Sequence, residues 1–219
     1  MPDVATLLLF ASVALVFVAA PGPSNLYVLT RGIGHGPRPA MAGAVGCATG
    51  AVVYVFATAV GLSALLASSA TVLAGIHYLG AAYLVYMGMR AFRAPAATPA
   101  AADAGETGAA GPSRLWPSYR QGLFVELSNP KVALFFLALL PQFVHAGHGP
   151  AALQLVVLGL LFVLIGLASD LVYAAGSGRL GDWMRRRPRV ARRQGQLTGV
   201  LYLGLGAWAA VSGADARKA

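Results

Sequence analysis

Residues 39–89 of this chain contain no Asp, Glu, Lys or Arg. A helix rises about 1.5 Å per residue and the hydrocarbon core of a bilayer is about 30 Å thick, so this stretch exceeds one crossing and must fold back. The Ser68-Ser69 pair is the natural turning point, which predicts spans over 40–67 and 70–89. Four further apolar blocks are 4–20, 122–144 (interrupted by Glu126 and Lys131), 151–178 (one charge, Asp170) and 197–213. Charged residues make up 11% of the chain, against about a quarter in a soluble domain. Seven acidic side chains leave a water-soluble globule under-solvated, which argues against a soluble enzyme. Period-2 alternation is absent and the blocks are too long for barrel strands. The expected fold is an all-α membrane protein with six transmembrane helices.

The first block is expected to be an uncleaved span, because the stretch before it, Met1-Pro2-Asp3, lacks the basic residues of a signal peptide. Orientation follows from the cations. With six spans, fourteen of the sixteen Lys and Arg residues fall on one side of the membrane. The positive-inside rule makes that side cytoplasmic, with both termini outside. The arginine run over 185–193 is then a topology determinant that attracts anionic lipid, and no nucleic-acid partner is expected. Residues 178–195 read as a short interfacial helix.

A short motif repeats. Gly34-His35-Gly36-Pro37 returns as Gly147-His148-Gly149-Pro150, 113 positions later. Each copy follows a proline-interrupted span and precedes a long apolar one. The chain therefore divides into a first three-helix repeat (1–93), a flexible cytoplasmic linker rich in Ala, Pro and Gly (94–118), and a second three-helix repeat (119–219). An odd number of spans per half turns the second half upside down, the inverted-repeat plan of many secondary transporters.

Chemistry is expected where the helices break. Proline removes a donor and clashes with the carbonyl one turn back, and in lipid the freed backbone groups need new partners. Pro21, Gly22 and Pro23, with Ser24 and Asn25, form one such place; Glu126, Ser128, Asn129, Pro130 and Lys131 form the other. Half-helix N-termini suit a carboxylate and half-helix C-termini an ammonium, so a zwitterionic amino acid is a natural ligand. The competing reading is that these prolines only kink packed helices. Lys131 either neutralises a substrate carboxylate or snorkels to lipid phosphate. Gln142, beside Pro141, adds a further polar interruption. Asp170 has no charged residue within eight positions and is the proton-coupling candidate; its alternative is a place near the cytoplasmic end beside Arg179. The spacings Gly46-x-x-x-Gly50 and Gly195-x-x-x-Gly199 predict close helix packing.

These residues resemble the LysE/RhtB family of amino-acid exporters. The resemblance is carried by Pro21-Gly22-Pro23 with Asn25, by Gly34-His35-Gly36, and by residues 79–88. In the second half it is carried by Glu126-Leu127-Ser128-Asn129-Pro130-Lys131, Leu140-Pro141-Gln142-Phe143, Tyr173-Ala174 with Arg179 and Trp183, and the stretch 199–208. Glu126 departs from the neutral residue more usual in the family. The resemblance implies export of amino acids or derivatives, coupled to proton entry, by a multi-pass protein of the bacterial inner membrane. Its expected partners are a small amino-acid substrate, protons and lipid, with no cofactor or metal; a homo-oligomer is compatible with this plan. The alternative is a divalent-cation exporter of related six-helix architecture, which requires clustered His and acidic residues. A thiol-based electron carrier is excluded by the single cysteine, Cys47, and no nucleophile–base pair points to an enzyme.

Overall fold

The computed structural model describes residues 1–20, 22–68, 115–145 and 147–185, with eight isolated positions (82, 85, 86, 89, 200, 203, 204 and 207). Pro21, residues 94–114 of the expected linker, the Gly195–Gly199 spacing, and all but isolated positions of the expected third and sixth spans lie outside them. Among the described residues every regular element is helical.

The first helix, α1 (Val4–Ala19), starts at Asp3, whose side chain accepts the Thr6 amide at 2.7 Å. That backbone bond holds the Asp3 carboxyl below the usual carboxylate range. One face of α1 buries Phe10, Ala14, Phe17 and Val18, while Leu8, Leu9, Leu15 and Val16 stay exposed. Such an apolar outer face suits lipid, not water. Next, α2 (Pro23–His35) ends at Gly36, whose φ of 87° is the left-handed conformation that glycine adopts without steric cost. Pro37 then opens α3 (Pro37–Ser68). The repeated motif does the same thing at its second copy: Gly149 has φ 97°, Pro150 follows, and α6 (Ala151–Arg185) begins.

Between them lie α4 (Leu115–Leu127) and α5 (Pro130–Leu134), which continues as a π-helical turn over Phe135–Leu139 and a 3-10 turn over Leu140–Phe143. The wide turn ends just before Pro141, whose ring would otherwise press on the carbonyl one turn back. Among the described residues two helices, over Pro37–Gly61 and Ala151–Arg179, are long and apolar enough to cross a membrane alone. Two bent pairs, α1 with α2 (53°) and α4 with α5 and its extension (46°), pass the same test when each is taken as one span.

Two features differ from the sequence expectations. Residues 115–118, placed in the linker, are helical, and Ser118 is fully buried. It accepts Tyr27 Oη at its carbonyl (2.6 Å) and Arg31 Nε at its hydroxyl (2.9 Å), and these contacts give a polar residue a reason to be inside. Residues 178–185, placed in a separate interfacial helix, are the last turns of α6, since neither Gly178 nor Gly181 interrupts the ladder.

The core is aromatic. Phe10, Phe17, Phe135, Phe136, Phe143 and Phe162 pack together, with Phe135 stacked on Phe162 at 4.2 Å and Phe10 edge-on to Phe143 at 5.1 Å. The Gly46-x-x-x-Gly50 spacing lies against α4. A Cβ on Gly46 would stand 2.0 Å from the Tyr119 carbonyl oxygen, and one on Gly122 would stand 2.2 Å from the Gly43 carbonyl oxygen. These are backbone contacts that no rotamer change relieves. Gly122→Leu is therefore expected to force α3 and α4 apart and abolish monodisperse protein on size exclusion in detergent. Gly34→Ala, where a Cβ meets nothing within 4 Å, is the control expected to elute as wild type.

Candidate functional site

Each bent pair stops and restarts in the same way. The α1 helix ends at Ala20, whose ψ of 114° leaves helical space. Gly22 then caps α2, and Pro23 takes its first turn, where the missing N–H costs nothing. The Gly22 amide is accepted by Asn25 Oδ1 at 3.2 Å. At the second break Asn129 is the N-cap of α5, its Oδ1 accepting the Lys131 amide at 3.1 Å, and Pro130 takes the first turn. The prolines thus begin new helices and do not sit inside old ones. The freed Leu127 carbonyl is taken by Tyr54 Oη from α3 at 2.7 Å.

The two restarts are bonded to each other. Asn129 Nδ2 donates to Ser24 Oγ at 2.8 Å, and Ser24 Oγ donates in turn to Glu126 Oε2. Asn25 Nδ2 donates to Asp170 Oδ1 of α6 at 2.9 Å. Lys131 crosses the other way: Nζ donates to the Ala20 carbonyl at the end of α1 and lies 4.7 Å above the Phe17 ring. Its stem passes so close to Gly22 that a Cβ there would stand 2.9 Å from Lys131 Cδ. These six polar side chains surround a cavity of about 40 Å³, room for a few waters, walled otherwise by Phe17, Val18, Val132, Phe162 and Gly166. Glu126, Lys131 and Asp170 are exposed by only 5%, 4% and 6%. Uncompensated burial of three ionisable groups would cost several kcal/mol each, so they must compensate one another or a ligand.

Of the residues singled out by sequence, Asn25, Glu126, Asn129, Lys131 and Asp170 line this cavity. Gly22, Pro23 and Pro130 shape the two restarts without lining it. Gln142 stands apart in the 3-10 turn, its Nε2 bonded to the Ala138 carbonyl at 2.7 Å within its own helix. Asp170 is the twentieth residue of the 35-residue α6 and faces the protein interior. Ser24 had been noted only as a polar neighbour of the prolines, yet it joins the two breaks. Tyr54 gave no sequence signal, because its role depends on which helix α3 packs beside. Among the described residues no three His, Cys, Asp or Glu side chains gather as metal ligands.

Comparison with known proteins gives the family. The family described as LysE type translocator matches residues 15–213. The chain belongs to that family. Within it, an uncharacterized membrane protein of Pseudomonas aeruginosa is 34% identical over 201 residues, covering 88% of this chain and 89% of that protein. A homoserine/homoserine lactone efflux protein of Salmonella typhimurium is 30% identical over 188 residues, covering 86% of this chain and 87% of the relative. A leucine efflux protein of an Enterobacter species is 27% identical over 194 residues, covering 89% and 90%. No solved structure matches the chain. The LysE family is one of transporters, which agrees with the absence of enzyme motifs in the sequence; the divalent-cation alternative finds no support.

In this translocator the Ser24 hydroxyl touches both an amide and a carboxylate across the two breaks. Ser24→Ala leaves a buried carboxylate oxygen and a buried amide short of a partner, at a cost on the order of 1–3 kcal/mol. A clear fall in melting temperature in detergent is expected. Ser12→Ala, whose hydroxyl reaches only the Leu8 carbonyl on the exposed face, is expected to melt as wild type.

Proposed function

We propose that this translocator exports amino acids or their derivatives across the bacterial cytoplasmic membrane in exchange for protons, through the cavity where the two broken helices meet. The observation that carries the reading is the convergence of both helix restarts on one polar hollow. Asn129 reaches Ser24 at 2.8 Å and Asn25 reaches Asp170 at 2.9 Å around it. Relatives named for efflux of homoserine, homoserine lactone and leucine support the substrate class. The architecture proposed with it is six spans in two inverted three-helix repeats, with both termini outside. The like conformations of Gly36 and Gly149 before the two longest helices support the repeat.

In this reading, the substrate displaces the few waters of the cavity and the walls part to admit it, since about 40 Å³ does not hold a whole amino acid. The π-helical turn and the two restarts supply backbone that can shift without breaking a continuous helix. Lys131 stabilises the negative pole of the substrate and the α1 C-terminus alternately. Asp170, tethered by the Asn25 amide, takes a proton on one side of the cycle and gives it up on the other.

Three variants test the site and the coupling. Asn129→Ala and Lys131→Ala are expected to lower efflux from amino-acid-loaded cells at least about tenfold, the loss of one charge-assisted contact, with membrane insertion intact by fractionation. Efflux at the wild-type rate would remove the cavity from the path. Asp170→Asn is expected to lose acceleration of efflux by an imposed proton gradient; an unchanged gradient response would remove Asp170 from coupling.

A further inference from the structure

The cavity holds one carboxylate more than a single proton carrier needs. Glu126 comes from α4 and Asp170 from α6, and both line the hollow. Each spends one oxygen on neutral donors. Glu126 Oε2 receives the Ser24 hydroxyl, with Asn129 Nδ2 at 3.5 Å, and Asp170 Oδ1 receives Asn25 Nδ2. Among the described residues the second oxygen of each, Oε1 and Oδ2, has no hydrogen-bond donor, and neither is among the atoms sealed away from solvent. Two buried carboxylates that line one small space therefore each keep an oxygen without a donor. The other titratable groups around them are Cys47 and Tyr54 from α3, Tyr173 from α6 and Lys131 from α5. Cys47 Sγ and Tyr54 Oη are turned to the carbonyls of Gly122 and Leu127. The Lys131 ammonium is held toward the Ala20 carbonyl and the Phe17 ring. The cavity-lining residues of α1 and α2 (Phe17, Val18, Ser24 and Asn25) carry no ionisable group.

Walls of Phe17, Val18, Val132 and Phe162 make this an apolar surrounding, and the single charge of Lys131 leaves its two carboxylates short of a second cation or a proton. A bare divalent ion would ask for about six or more oxygens; two open oxygens match the sparse donor set of a protonated amine. We propose that the ammonium group of the substrate binds between the open oxygens of Glu126 and Asp170, where protons replace it on the return step. The transported class is then primary amines, with the carboxylate of an amino acid secondary to its ammonium. This rests on the reading of the chain as an exporter of amino-acid compounds and assigns Glu126 a role in it. Ammonium and proton never occupy the pair together, so each cation leaving outward is matched by proton entry at the same oxygens.

The test is transport by the purified full-length chain in proteoliposomes under an imposed proton gradient. Two series are compared, leucine and homoserine, each as the free amino acid, as its amide and as its N-acetyl derivative. The amide keeps the ammonium and loses the carboxylate; the N-acetyl compound does the reverse. In at least one series the amide should be carried within about tenfold of the parent, and the N-acetyl derivative at least about tenfold more slowly, the loss expected from one charge-assisted contact. Glu126→Gln should abolish discrimination against the N-acetyl derivative, and Glu126→Asp should retain part of it. Both variants are first matched to wild type in melting temperature, and the wild-type series decides the question if either fails. An N-acetyl derivative carried as fast as its parent, or an amide left untransported beside a transported parent, overturns the ammonium site while leaving the exporter reading standing. If neither parent amino acid moves, both fall together.

Discussion

A helix that stops and restarts among apolar side chains strands backbone groups that need new partners, and the contacts around both breaks of this structure supply them. Each break restarts with an N-cap and a first-turn proline, so some of the orphaned groups are satisfied locally by Asn25 and Asn129. What remains is satisfied across the molecule. Lys131 of the second break reaches the last carbonyl of α1, and Tyr54 of α3 reaches the last carbonyl of α4. The two breaks hold each other open. Neither could close into a straight helix without stranding a partner of the other.

This reciprocity also explains the polar cavity. Ser24, Asn25 and Asn129 are short side chains fixed near helix starts, so their positions follow from the backbone with little rotamer freedom. They orient Glu126 and Asp170, which would otherwise be costly groups among phenylalanines. The close approach of α3 and α4 through Gly46, Gly50 and Gly122 sets where Glu126 stands, since a Cβ on Gly50 would lie 2.8 Å from its Cβ. Packing glycines and cavity residues are therefore one mechanical unit: widening the α3–α4 contact moves a wall of the cavity.

Much of this was legible in the sequence, for identifiable reasons. Helix breaks in an apolar chain are written by proline beside Asn or Ser, so both breaks and the polar side chains beside them are legible without geometry. The long apolar stretches likewise announced α3 and α6. Other features depend on tertiary packing and left no local trace. Nothing in the sequence ties Asn25 to Asp170, or Tyr54 to Leu127, because each pair joins helices whose facing is set by the glycine contact and the aromatic core. Gln142 is conspicuous as polarity in an apolar span, and of its amide the Nε2 is taken by the Ala138 carbonyl while the Oε1 is buried without a partner. The start of α4 was hidden by an Ala- and Pro-rich stretch, although Ser118 gains buried partners from Tyr27 and Arg31.

The central claim is that the junction of the two breaks is a water-reachable substrate site and not a sealed packing contact. Thiol labelling tests it most directly. In a Cys47→Ser background, Ser24→Cys places a reactive group at the junction and Leu8→Cys places one on the exposed apolar face of α1. The account predicts that a small membrane-impermeant thiol reagent modifies position 24 in intact membranes, that a transported amino acid slows this reaction, and that position 8 is neither labelled at a comparable rate nor protected. Position 24 remaining inert from both sides of the membrane, or reacting at a rate no amino acid changes, would contradict it.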